Sequence, residues 1–191
     1  MPRRLSRTLA LLLAGAALAG AGCADDVAPA IRVGDVTVSD GDLQEETDQF
    51  AGNEGILDPS TLTGFAPGAR PADLLRQVIA QRIHFEIHGA LFEEAGLELD
   101  ESDVARAFEA AYGNPAQAER VMEGFEDEGF AEEYRRDVAR MVLLQEELGT
   151  DYEAAVQEAY ADADIEVSPR YGDWDAEAFQ VVPATLGADR G

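Results

Sequence analysis

The fold of this chain is decided by residues 71–95, PADLLRQVIAQRIHFEIHGALFEEA. The stretch begins with a proline, which the first turn of a helix tolerates, and stops before Gly96, a common helix terminator, so it predicts one long helix. At about 100° per residue its apolar side chains cover most of the circumference: Leu75, Val78, Ile79, Ile83, Phe85, Ile87, Leu91 and Phe92. Four polar residues share one sector of about 60° on this projection: Gln77, Gln81, His84 and His88. A helix that is apolar on several sides must be contacted on several sides, which predicts a central helix, with an ordinary two-sided core helix as the alternative.

Short β-rich runs lie at both ends of the predicted domain. Residues 30–33 and Val36–Val38 alternate on either side of Gly34-Asp35, which predicts a small hairpin. Ile165–Val167 alternates in the same way, and we expect it to pair with the hairpin and join the two ends of the domain. The predicted fold class is therefore mostly α, around a long central helix, with a small β-sheet formed by N- and C-terminal strands.

Helical periodicity, capping residues and glycine or proline breaks predict the other helices: from Ser39 to about Phe50, from Asp100 to about Tyr112, a short one ending near Glu123, from Phe130 to Leu148, and from Asp151 to Ala161. Residues 52–70 read as a long loop, either a lid or a surface strap, of which we favour the strap. From residue 180 to 191 we expect a flexible tail, so the domain is predicted over 30–179.

The chain begins with a predicted targeting segment. Arg3, Arg4 and Arg7 form a basic region, and the apolar stretch 9–18 that follows is too short to span a bilayer. Small residues lead from it to Cys23. This order is typical of a secretory signal peptide over residues 1–22, and residues 23–29 then form a tether.

The end of that leader, LAGAGC at residues 18–23, resembles a bacterial lipobox, in which the cysteine becomes the acylated N-terminus. Gly20 stands where that family usually has leucine. Cys23 is the only cysteine, so an intramolecular disulfide is impossible. The resemblance implies lipidation of Cys23 and attachment to the outer face of the cell membrane, since two or more acyl chains give stable anchoring; the alternative is a leftover cysteine in a leader that is cut elsewhere.

The composition excludes one class of partner. The chain carries a formal net charge of −25, and so acidic a surface repels nucleic acid. Hydrophobic residues make up 46% of the chain, a share that is typical of folded proteins. We therefore expect a folded domain that binds no nucleic acid.

Four segments carry a resemblance to a known family: VGDVTVSDGDL at 33–43, LLRQVIAQRI at 74–83 with EAG at 94–96, the stretch 129–148, and IEVSPRYGDW at 165–174. In this order and spacing they resemble the N-terminal chaperone domain of exported foldases of the SurA and PrsA type, and the match runs over about 30–174. The resemblance implies a helical fold like that of the SurA N-terminal and trigger-factor C-terminal domains. Foldases of this type usually also carry a parvulin prolyl-isomerase domain, for which we expect no room here.

The resemblance thus implies a lipid-anchored, holdase-like module that binds apolar segments of unfolded or exported polypeptides, without catalysis and without a cofactor. One alternative is a structural or adaptor lipoprotein that docks a specific envelope partner. Aromatic and Met residues are the candidate client-binding set, because they offer adaptable apolar contact: Phe85, Phe92, Phe108, Tyr112, Met122, Phe125, Phe130, Tyr134 and Met141. Lined by such residues, an acid-rimmed groove would favour basic, apolar client segments.

A more distant alternative is a metal-dependent enzyme that uses His84 and His88, the two histidines of the chain. Four residues apart on one helix, both rings could reach one metal ion. Glu86 does not directly follow the first histidine, as the zincin pattern requires, and no third ligand is marked. We therefore expect no metal site here, but polar side chains at the edge of a groove, and we expect the many Asp and Glu residues to form solvated helix faces.

Overall fold

The computed structural model describes residues 29–57 and 69–184. Its elements in chain order are β1 (Ile31–Val33), β2 (Val36–Val38), α1 (Asp40–Gly52), α2 (Pro71–Glu94), α3 (Glu101–Ala111), α4 (Pro115–Glu123), α5 (Glu128–Leu148), a 3-10 turn (Gly149–Asp151), α6 (Tyr152–Asp162), β3 (Ile165–Val167), β4 (Asp173–Asp175) and β5 (Gln180–Val182). The predicted leader, the predicted lipidation site Cys23 and most of the predicted strap lie outside the described residues.

The central position of α2 is confirmed. The helix contacts α1, α5, α6, β1 and β5, and its buried residues include Val78 and Ile87, which lie on opposite sides of the helix axis at about 100° per residue. Even the predicted polar sector is covered, and His88 is buried. The predicted fold class, mostly α around this helix, is confirmed.

The two ends of the domain meet in one sheet, as the sequence predicts. The strand order is β2-β1-β3 and both pairings are antiparallel. Ile31 stands opposite Val38 on one side and Val167 on the other. Because β1 is central, Ile31 is fully buried, while β2 remains an edge strand whose Val36 is 41% exposed.

The predicted flexible tail from residue 180 is wrong at its start. Gln180–Val182 forms β5, which pairs antiparallel with β4 in a second hairpin and packs on α2. Val181 is buried in that contact. The pairing depends on Gly172, because a Cβ atom at that position would overlap the carbonyl oxygen of Val182. The ordered domain therefore continues past 179.

Side-chain caps fix where the helices begin. Ser39 accepts a hydrogen bond from the backbone N–H of Asp42, whose carboxylate accepts one from the Ser39 backbone N–H, which is a capping box. Asp100, Asn114 and Asp127 cap α3, α4 and α5 in the simpler way.

Candidate functional site

A groove of about 710 Å³ lies between the β1–β2 turn, α2, α5 and the end of α6; we call it the main groove. Apolar side chains form much of its lining, including Val33, Val36, Phe85, Ile87 and Leu91. Eight carboxylates also line it: Asp35, Glu86, Glu93, Glu94, Glu133, Asp137, Asp162 and Asp164. Only two basic residues oppose them, Arg82 and Arg140. The main groove is thus an apolar surface inside an acidic rim.

Val36 lies at the lip of the main groove and is the one large apolar residue exposed among those the structure describes. It is exposed because β2 is an edge strand, with a partner on one side only. Gly34 makes this position possible, since the tight turn before Val36 requires its φ of 57°. A free strand edge beside a groove offers backbone groups to an extended partner.

A second groove of about 630 Å³, the side groove, lies between β2, α1 and the start of α5. It is more polar, and its acidic lining consists of Asp42, Glu45, Glu46, Asp48, Asp127 and Glu133. Arg82 and Glu133 line both grooves. The two grooves therefore adjoin at this pair of side chains.

Arg82 stands at the junction of the grooves. Its guanidinium forms an ion pair of 2.8 Å with Glu86, one turn further along α2. Its Nε is buried and has no hydrogen-bond partner among the described residues. Nearby, Arg140 is paired with Asp137 on α5. Each cation of the main groove thus forms its direct ion pair with a carboxylate of its own helix, and Arg82 also attracts Glu46 on α1.

Glu46 is the least expected residue of the site. It is only 7% exposed, lines the side groove, and makes no hydrogen bond or close ion pair with any described residue. Burial raises its pKa to about 7; Arg82 opposes the shift, while Glu133, Asp137 and Glu86 add to it. Near neutral pH this carboxyl therefore stands between its two protonation states.

Asp137 is perturbed in the same direction. Burial raises its pKa to about 6, against the attraction of Arg140. Two carboxyls with raised pKa values beside a groove are a common mark of a functional site. In their ionised forms both carboxylates can accept hydrogen bonds from a cation.

The predicted client-binding set does not form an open cleft. Five of its members are buried in the core: Phe85, Phe92, Phe108, Phe125 and Tyr134. The other four are partly buried and pack against that core: Tyr112, Met122, Phe130 and Met141. Most of the set thus belongs to the core, and the client-binding role of its members stays a prediction.

The rings instead pack on one another. Phe50 is in edge-to-face contact with Phe125, Phe130 and Tyr134, at centroid distances between 5.6 and 5.9 Å. The hydroxyls of Tyr112 and Tyr134 are hydrogen-bonded at 2.6 Å. Phe85 lines the main groove and Phe130 the side groove, and Tyr112, Tyr134 and Met141 line a smaller pocket of about 200 Å³.

The two histidines are covered by the C-terminal elements and line neither groove. His88 donates from Nδ1 to the carbonyl of His84 at 2.7 Å, so its Nε2 accepts from the Tyr152 hydroxyl at 2.9 Å. His84 is bonded through Nδ1 to the Tyr160 hydroxyl, and Trp174 packs against its ring. Burial lowers the pKa of His84 to about 4, and His88 adds to the shift. Both rings are thus neutral members of a hydrogen-bonded cluster.

Within residues 29–57 and 69–184, no group of three or more His, Cys, Asp and Glu residues is arranged to hold a metal ion. In the same ranges, no helix has the length and apolar character needed to cross a bilayer.

Comparison with protein-family models, curated proteins and solved structures gives no match for this chain. The resemblance to the SurA and PrsA type of domain therefore stays a prediction. What supports a function is the geometry of the grooves.

The importance of Glu46 escaped the sequence interpretation, although the sequence carries a signal for it. On α1 the buried positions are Leu43, Glu46, Thr47 and Phe50, the i, i+3, i+4, i+7 spacing of a core-facing stripe. A glutamate in that stripe has to be buried or has to point into a cavity. The spacing alone thus marks Glu46 as unusual among the acidic residues.

Proposed function

We propose that this chain is a non-catalytic binding module that takes basic, partly apolar segments of exported polypeptides into the main groove. Its place of action is the outer face of the cell membrane, to which lipidation of Cys23 attaches it. The observation that carries the proposal is the composition of the main groove, where eight carboxylates and two arginines surround an apolar lining.

Charge selects the ligand class. An apolar lining binds Leu- or Phe-like side chains by excluding water, and the rim attracts Lys and Arg while repelling acidic segments. A cavity of about 710 Å³ is within the usual range of ligand sites, and suits a few side chains more than a folded surface. The remaining acidic surface keeps the domain away from anionic lipid headgroups.

A chaperone-like role then depends on charge as well as on apolar contact. Because most of the aromatic set is buried, these rings offer no broad apolar surface to arbitrary unfolded chains. We therefore place the module closer to a selective holdase, which protects basic apolar segments and leaves acidic ones in solution.

An adaptor that docks one folded envelope partner is the second candidate. The edge strand β2, with Val36 exposed at the lip of the groove, favours it, because a partner strand can pair with a free edge. The two candidates differ in breadth: a selective holdase delays the aggregation of several unrelated basic proteins, whereas an adaptor delays none and retains one partner.

The test uses the full chain in a non-ionic detergent and a fluorescent decapeptide of alternating leucine and lysine, capped at both ends. We expect saturable binding by anisotropy, weakening as salt is raised, and no binding of the same peptide with glutamate in place of lysine. A rim variant, Glu93→Gln with Glu94→Gln and Asp162→Asn, should weaken binding at least about fivefold, since each neutralised carboxylate near a cation contributes up to about 1 kcal/mol.

The matched control carries the same loss of charge at exposed acids that line neither groove: Glu98→Gln, Glu109→Gln and Glu147→Gln. Equal weakening in both triple variants would mean that net charge, and not the main groove, attracts the peptide. That result would overturn the proposal.

A further inference from the structure

We propose that Glu46 receives a cationic side chain, a lysine ammonium or an arginine guanidinium, from the polypeptide segment that lies in the main groove. The inference rests on the proposed function and names the chemistry of its specificity: an apolar residue in the main groove, followed by a basic one that enters the side groove at the junction with Arg82 and Glu133. The exposed rim attracts basic segments in general, and Glu46 receives one particular basic residue of the bound segment.

The first observation is the isolation of Glu46. A carboxylate that is 7% exposed normally holds a cation or several hydrogen-bond donors, because an unpaired buried charge is strongly unfavourable. Glu46 has neither among the described residues, and its side chain lines a groove that opens to solvent. A vacant acceptor of this kind, more than nine-tenths buried, is distinct from an acidic patch on a helix face.

The second observation is the commitment of the nearest cation. Arg82 attracts Glu46, but its guanidinium is paired with Glu86 at 2.8 Å. The helix that presents Arg82 also presents Glu86, so this pair forms within α2 and does not require α1. Arg82 and Glu46 thus attract each other, but the direct ion pair of Arg82 is with Glu86, and the direct contact at the Glu46 carboxylate is left to a partner from outside the chain.

The surroundings favour a cation over any other ligand. From α1 the side groove receives Asp42, Glu45 and Asp48, and Asp127 and Glu133 reach it from the α5 side. Asp137 on α5 and Glu86 on α2 add to the negative potential at Glu46, and Arg82 is the one cation that opposes them. The strand β2 contributes the uncharged Thr37 and Val38. Glu133 lines both grooves and provides a second acceptor along the same path.

Binding through Glu46 has to be linked to protonation. Because burial raises the pKa of this carboxyl to about 7, a large part of the free protein carries it protonated at neutral pH. A bound cation favours the ionised form, so a proton leaves as the cation arrives. Affinity should therefore rise with pH through 7, where lysine itself stays charged.

The experiment measures binding of the leucine–lysine decapeptide to the full chain between pH 5.5 and 8.5. We expect the wild type to bind about tenfold more tightly at pH 8.5 than at pH 5.5, the change that one pKa unit of linkage produces. Glu46→Gln should lose most of this pH dependence and bind about tenfold more weakly at pH 8.5. Glu109→Gln, the same change at an exposed position that lines neither groove, should keep both the affinity and its pH dependence. Acetylation of the peptide's lysines should abolish the difference between wild type and Glu46→Gln.

Calorimetry on the wild type gives a readout that needs no variant. At pH 7 the binding enthalpy is measured in two buffers of different ionisation enthalpy. The two apparent enthalpies should differ, because the buffer takes up the proton that the protein releases on binding. Equal enthalpies, or a Glu46→Gln variant that binds like the wild type at every pH, would overturn the role of Glu46. If the rim variant still weakens binding in that case, the proposed function stands without it; if the peptide does not bind at all, both fall.

Discussion

The guanidinium of Arg82 and the carboxylate of Glu86 form an ion pair of 2.8 Å within α2, at the point where the main and side grooves adjoin. This pairing leaves Glu46, on the facing helix α1, buried and without a close partner. A domain selected only for stability would pair or replace such a carboxylate, since it costs free energy. We infer that Glu46 is kept, in spite of this cost in stability, because it binds a ligand.

The first prediction concerns the stability cost of Glu46. Its folded-state pKa is raised from 4.5 to about 7, so the folded state binds more protons than the unfolded state between these values, and the carboxyl destabilises the fold increasingly as pH rises through that window. Glu46→Gln should therefore raise the free energy of unfolding by about 1–3 kcal/mol at pH 8 and leave it nearly unchanged at pH 4. Urea unfolding at both pH values measures this. A loss of stability at pH 8 would contradict the burial of an unpaired charge.

His84 should have the opposite pH dependence. Its pKa is lowered from 6.5 to about 4 by burial, so its contribution to stability is complete above pH 6.5 and is lost as pH falls toward 4. His84→Gln removes this titration, and the decline in unfolding free energy between pH 6.5 and 4.5 should become shallower. An unchanged slope would mean that the ring is accessible to protons in the folded state.

The closure of the domain by its two ends is tested at Ile31. The side chain is 0% exposed, between Val38 and Val167 in the neighbouring strands. Ile31→Ala should lower the free energy of unfolding by about 2–5 kcal/mol, whereas Val36→Ala at the exposed edge should cost less than about 1 kcal/mol. Denaturant unfolding of both variants measures the two losses of free energy, provided that the dependence on denaturant concentration has the same slope. Similar losses of stability at both positions would argue against the central place of β1.

Two glycines should respond to alanine with opposite signs. A Cβ atom at Gly124 would overlap the side-chain amide of Asn53, which is fully buried and donates to the Val121 carbonyl at 2.8 Å. Gly124→Ala should therefore cost about 2–3 kcal/mol. Gly89 lies inside α2 with open space around it, and Gly89→Ala should stabilise the helix by about 0.5–1 kcal/mol. The unfolding temperatures of both variants, compared with that of the wild type, measure these effects. A Gly124→Ala variant that is more stable than the wild type would contradict the packing around Asn53.

Local sequence patterns were sufficient for the frame of the molecule. The wide apolar coverage of 71–95 correctly predicts a helix contacted on several sides, and the alternation at Ile165–Val167 correctly predicts pairing with the opening hairpin. Both signals are properties of one element, which periodicity reports directly.

Properties that depend on two distant elements were not predictable in this way. Gln180–Val182 is a strand because β4 pairs with it and α2 covers Val181, not because three residues have a strong preference of their own. The sequence could not show which aromatic residues lie in the core and which line a groove, because residue type does not distinguish the two. Phe108, for example, is buried by Tyr134 from α5, a contact that no local pattern reveals.

The most direct measurement of the central claim is the location of a bound segment. The leucine–lysine decapeptide, carrying a photo-reactive leucine analogue, is bound to the full chain, irradiated, and the cross-linked residues are identified by mass spectrometry. We predict cross-links to Val36 and to the α2 residues Phe85 and Leu91, which line the main groove, and competition by unlabelled peptide. Cross-links concentrated on α3 and α4, or spread evenly over the surface, would contradict the account.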